Sequence, residues 1–163
     1  MDPEKIIFFA CDDIADHPEN PFPGEIFNSP YGDNVYDSSI IDYRGREMVN
    51  PEMFMAVMMG DKTAAGGGKV LRSTIEDDVF LFFVDHGAPG ILAFPGPKSE
   101  EGSNKHHFNF FYADQLMNTF EYMYTHRMYK EFVVYVEACE AGSMFTDLPD
   151  DMNIYAMTAS NET

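Results

Sequence analysis

The sequence predicts an α/β domain built around a mostly parallel β-sheet, and three observations carry that expectation. Four short apolar runs rich in branched and aromatic residues are spread along the chain, at Lys5 to Ala10, Val79 to Val84, Phe132 to Ala138 and Asn153 to Ala159. None of them alternates cleanly with polar residues, which is the pattern of strands covered on both faces. Helical patterns lie between the runs, as a parallel sheet with crossovers requires.

Taken in order, the first run is preceded by acidic residues and is too short and too acidic to be a signal peptide. From Asp16 to Gly45 the density of Pro, Gly, Asn and Asp predicts a long surface connection with little regular structure. Asn50-Pro51 then supplies an N-cap and a first-turn proline, and Gly60 closes the helix EMFMAVMM. Gly66 to Gly68 with Lys69 suggest a phosphate loop only superficially. Thr63 stands where the first glycine should be, and Val70 replaces the required hydroxyl residue. After the second run, Pro95 to Phe111 reads as a connection, with His106 and His107 in a solvated loop. Leu116, Phe120, Met123 and Arg127 recur at helical spacing, widened by Met117 and Tyr124, and predict a core-packed helix from about Ala113 to Arg127.

Composition bounds the function. The chain has 163 residues, 45% of them hydrophobic, enough for one domain-sized core over 1–163. With 28 acidic against 10 basic residues the formal charge is -18, which repels nucleic acid phosphates and anionic membrane surfaces. No stretch approaches the length of a membrane span. Two cysteines, Cys11 and Cys139, lie outside any C-x-x-C pair, so neither a disulfide framework nor a zinc site is expected. Asp12, Asp13, Asp16 and His17 could in principle hold a hard cation, but acidic residues after a strand more commonly cap turns. No metal or cofactor is expected.

The chemistry concentrates at two strand ends. Side chains alternate along a strand, so Glu137 and Cys139 share one face with Val133 and Tyr135, while Phe82, Val84 and His86 lie together on theirs. Ligands of open α/β sheets bind beyond the carboxyl ends of the strands, where both His86 and Cys139 fall. If the two strands are neighbours, these residues form a Cys/His dyad. A free thiol is mostly protonated at neutral pH and needs a base to become a nucleophile, which His86 can supply. Gly87 and Gly142 allow close backbone approach, and the Gly87 and Cys139 amides are plausible oxyanion donors. Blander readings stay open at this point: Cys139 as a small buried hydrophobe, His86 as a loop residue, and Glu137 paired with Arg127 or Lys130.

Five blocks go further: CDDIADHPENPFPG, NVYDSSIIDYRG, FVDHGAPGIL, YVEACEAGSMF and LPDDMNIYAMTASN. Together, from about Ile6 to Asn161, the chain resembles the legumain family of cysteine endopeptidases, the asparaginyl endopeptidases or vacuolar processing enzymes. A more distant likeness is to the catalytic subunit of the GPI transamidase. The resemblance implies a caspase-like three-layer α/β fold, with His86 as base, Cys139 as nucleophile and Gly87 in the oxyanion hole. It implies Glu137 as an acid in the pocket for a substrate Asn, and Asp85 as a residue that orients or modulates the site. The implied partners are protein or peptide substrates containing Asn, with a prodomain or inhibitor outside this chain. The implied compartment is the lysosome or vacuole.

The family pattern also carries a strand and a helix before the matched segment, and further pocket residues and a prodomain after it. The sheet is therefore expected to be incomplete at both ends, with apolar surface uncovered and poor folding or activity of the chain by itself. The connection from Pro95 to Phe111 is longer than the family pattern, which bears on substrate preference. A catalytically silent relative that serves as a binding module is the alternative from another class.

Overall fold

The computed structural model describes residues 2–97 and 107–163. The chain divides into two compact units, Met1–Val49 and Asn50–Thr163.

In the first unit a two-residue strand β1 (Phe9–Ala10) pairs in parallel with β2 (Tyr43–Arg44), Phe9 opposite Tyr43. The two rings stack with centroids 4.4 Å apart, and Tyr43 is fully buried. The expected strand from Lys5 is thus shorter and pairs with a partner hidden in the predicted loop. Phe8 joins through its amide, which donates to Asp42 Oδ2 at 2.8 Å. Between them the loop is tied by Asn20, whose side-chain amide donates to the carbonyls of Ala15, Phe22 and Glu25.

The acidic cluster of this unit is engaged by side chains of its own. Asp12 pairs with Arg44 and accepts from the Tyr36 hydroxyl at 3.1 Å. Asp13 accepts from Arg46 at 2.7 Å. Partial burial pushes the Asp13 carboxyl up, but the Cys11 thiol and the Arg46 guanidinium outweigh it and hold the group below its ordinary range.

The second unit opens with α1 (Pro51–Met58), capped as predicted: Asn50 Oδ1 accepts from the Met53 amide at 2.8 Å. Strands β3 (Asp78–Val84), β7 (Glu131–Glu137) and β8 (Ile154–Thr158) form a parallel sheet in the order β3-β7-β8. Three of the four predicted runs are these strands. A second sheet, antiparallel, was not expected. It joins β4 (Gly87–Ala88), β5 (Ile91–Pro95) and β6 (Phe108–Tyr112), so the predicted connection from Pro95 to Phe111 ends in a strand. His106 lies outside the described residues, and His107 is exposed.

Helix α2 (Ala113–Thr125) follows β6 directly and buries Leu116, Thr119, Phe120 and Met123. Phe120 meets Phe132 of β7 edge to face at 5.3 Å, which fixes the helix on that face of the parallel sheet. Tyr124 and Arg127 do not extend the buried stripe as predicted. The helix stops at Thr125, Arg127 takes a left-handed conformation (φ 56°), and both side chains are exposed.

Among the described residues one face of the parallel sheet is buried and the other largely exposed, unlike the two-sided cover read from the strand pattern and like the uncovered apolar surface expected of an incomplete sheet. Phe132, Val134 and Val136 are buried, whereas Phe80, Phe82, Val84 and Tyr155 on the other face are 56%, 55%, 65% and 60% exposed. Apolar composition reported what these residues are and could not report whether a layer lies on them. Among the described residues no helix is long and apolar enough to cross a membrane.

Candidate active site

The register of β3 against β7 organises the site. Phe82 faces Tyr135 and Val84 faces Glu137, so the two strands finish level with each other. His86 and Cys139 each stand two residues beyond those last partners, past the ends of the two strands. Both are exposed.

Backbone contacts hold the two ends together. The Asp85 amide donates to the Glu137 carbonyl at 3.3 Å, which extends the ladder past the strands. A Cβ on Gly87 would overlap the carbonyl oxygen of Cys139 and come within 3.0 Å of the Ala138 Cβ. The absence of a side chain at Gly87 is therefore what lets the chain after His86 lie against the Cys139 peptide. The Asp85 carboxylate turns back on its neighbour and accepts from the His86 amide at 2.7 Å. It touches the backbone of His86. The His86 carbonyl in turn accepts from Ala93 of β5 at 2.9 Å, and the imidazole packs edge to face on Phe108 of β6, centroids 5.8 Å apart.

After Cys139 the chain reverses sharply. Glu140 adopts a left-handed conformation (φ 52°) that side chains seldom take, and a 3-10 turn follows over Ala141–Met144. Two serines that sequence reasoning did not single out pin this turn. Ser160 Oγ donates to the Ala138 carbonyl and accepts from the Ala141 amide, both at 3.0 Å, while its own carbonyl accepts from Gly142 at 3.2 Å. Ser143 Oγ accepts from the Gly90 amide at 2.8 Å, linking the turn to the loop after β4. The close approach expected at Gly142 is to the chain after β8: a Cβ there would lie 2.8 Å from the Asn161 carbonyl carbon. Both serines lie in blocks quoted for the resemblance, yet their hydroxyls gave no signal until the turn was folded.

Cys139 and His86 are thus both exposed just past the level ends of two paired strands, and Glu137 is exposed at the last position of β7. Among the described residues no group of three or more His, Cys, Asp or Glu converges as a metal set.

The peptidase C13 family model matches residues 1–163. The chain belongs to that family. Among curated relatives, a hemoglobinase of Schistosoma japonicum is 51% identical over 97% of this chain. A legumain of Mus musculus is 47% identical, and a vacuolar-processing enzyme of Citrus sinensis 44%, each over 97% of the chain. The chain spans about a third of these relatives, 34% of the first two and 30% of the third. As a C13 peptidase chain it carries the α/β fold and parallel sheet that the resemblance implied.

Proposed function

We propose that this chain carries the nucleophile and base of a legumain-like cysteine endopeptidase that hydrolyses peptide bonds after Asn, and after Asp when acid protonates that side chain. What supports the reading is the level finish of β3 and β7, with Val84 opposite Glu137 and the Gly87 backbone against Cys139. The relatives named legumain, hemoglobinase and vacuolar-processing enzyme supply the reaction class.

In this mechanism His86 takes the Cys139 proton and the thiolate attacks the substrate carbonyl carbon. The carbonyl electrons pass to an oxyanion that the Gly87 and Cys139 amides would face. Collapse expels the amine, which receives the proton from His86, and leaves a thioester on Cys139. Water, deprotonated by His86, then releases the acid and restores the thiol. Glu137 would accept from the amide NH2 of the substrate Asn, since a primary amide needs an acceptor for its protons as well as a donor for its oxygen. Substrates are accordingly proteins or peptides with accessible Asn, and the compartment is a vacuole, as the name of the Citrus relative suggests, or the lysosome that the family resemblance implies.

The test is an Asn-containing electrophilic peptide applied to the full gene product. Labelling that disappears in Cys139→Ser, with turnover lower by several powers of ten in Cys139→Ser and His86→Ala, is the expected result. A folded protein that takes no label, or a Cys139→Ser variant that still turns over, overturns the reading; the former describes a silent binding module.

A further inference from the structure

We infer that Asn161 is an acceptor for an N-linked glycan, carried at the edge of the parallel sheet where Cys139 lies. Asn161-Glu162-Thr163 is the one Asn-x-Ser/Thr triplet in the 163 residues, and by itself a triplet is a weak signal. The fold is what singles it out. Asn20 ties the carbonyls of its loop, Asn34 Oδ1 accepts from the Ile26 and Tyr36 amides, and Asn50 caps α1. Asn109 and Asn153 donate to the carbonyls of Pro95 and Lys130. An asparagine so engaged would break its bonds to carry a sugar. Among the described residues the Asn161 side chain makes no such bond, and Asn161, Glu162 and Thr163 are all exposed.

The chain is fixed up to the residue before the triplet. Strand β8 runs parallel to β7 with Thr158 opposite Val136, so the two finish at the same edge. Ser160 is then held to the turn after Cys139 by its hydroxyl and by its carbonyl, which accepts from the Gly142 amide at 3.2 Å. Asn161 follows in irregular backbone outside any strand. In the modification Asn161 Nδ2 attacks the anomeric carbon of a polyprenyl-diphosphate-linked oligosaccharide. The carbon–nitrogen bond forms, the bond from that carbon to the diphosphate oxygen breaks, and the amide proton passes to a base of the transferase. A bulky, solvated group of this kind belongs on an exposed segment, and at Asn161 it displaces no hydrogen bond between described residues. Transfer takes place on the secretory route, so the inference rests on the vacuolar or lysosomal compartment of the proposed function.

The experiment translates the full coding sequence in the presence of endoplasmic-reticulum microsomes and compares mobility before and after peptide N-glycosidase. Enzymatic deglycosylation in heavy-oxygen water should convert Asn161 to a labelled aspartate, read by peptide mass. Asn161→Gln and Thr163→Ala should each lose one glycan step relative to the wild type. Thr163→Ser should keep it, which separates acceptor chemistry from any effect of substitution on folding. A chain that is shielded from added protease inside the microsomes yet unmodified at Asn161 overturns the site. A chain left outside, open to the protease, overturns the compartment reading and the site with it.

Discussion

A single methyl group is enough to probe the contact between the two strand ends. Gly87→Ala drives a Cβ into the Cys139 carbonyl, and overpacking of that kind costs about 1–3 kcal/mol. Urea unfolding should show the loss, and electrophile labelling of Cys139 should fall with it. Unchanged stability would mean that the chain after His86 does not lie where it is described. Ser160→Ala removes one acceptor and one donor from the turn after Cys139, leaving the Ala138 carbonyl and the Ala141 amide without those bonds. A loss of about 1–3 kcal/mol is expected, with faster hydrogen exchange at the Ala141 amide as the local signature. At this scale the places of His86, Gly87 and Cys139 just past the strands could be read from sequence because each follows an apolar run, and Glu137 because it closes one; their chemical roles belong to the proposal. Ser143, Ser160 and Phe108 could not, because what matters about them is a partner far along the chain.

Elements behaved according to how local their causes are. Helix α1 follows from Asn50 and Pro51 in a few consecutive residues, and β3, β7 and β8 from unbroken apolar runs. The antiparallel sheet escaped because Phe108–Tyr112 runs straight into α2 with no turn signal between them, and Ile91–Pro95, although bounded by Gly90 and Gly96, ends in a proline that argues against a paired strand. Strand β2 escaped because two residues carry no period at all. The junction between α2 and β7 yields a pH test. Tyr129 is buried, its hydroxyl donates to the Met152 carbonyl at 2.9 Å, and burial first, then the neighbouring Tyr124, raises its pKa from 10.0 to about 12. The folded state thus holds this proton longer than the unfolded state. Its contribution is complete below pH 10 and declines as pH rises from 10 towards 12. Tyr129→Phe should flatten stability over that window in alkaline denaturation while lowering it at neutral pH through the lost hydrogen bond. An equally steep alkaline loss in the variant would show that another group is responsible.

Across the whole molecule, two surface properties pull in opposite directions. A net charge of -18 keeps copies apart, while the face of the parallel sheet carrying Phe80, Phe82, Val84 and Tyr155 offers apolar area for association. Salt screens the first and leaves the second, so self-association of the 163-residue chain should increase with ionic strength in sedimentation measurements. Phe82→Ser should suppress that increase and shift unfolding by no more than about 0.5 kcal/mol, the scale for exposed positions. A much larger destabilisation would mean that this face is covered. The parallel pairing of β3 with β7 also sets a timetable. Its two halves are separated by the whole antiparallel sheet and α2, so a ribosome must deliver all of that before the crossover can close, and such long-range closure is slow. On the proposed reading, Cys139 reaches the strand end that carries His86 only once β7 has been made and paired with β3, so the pair is assembled late.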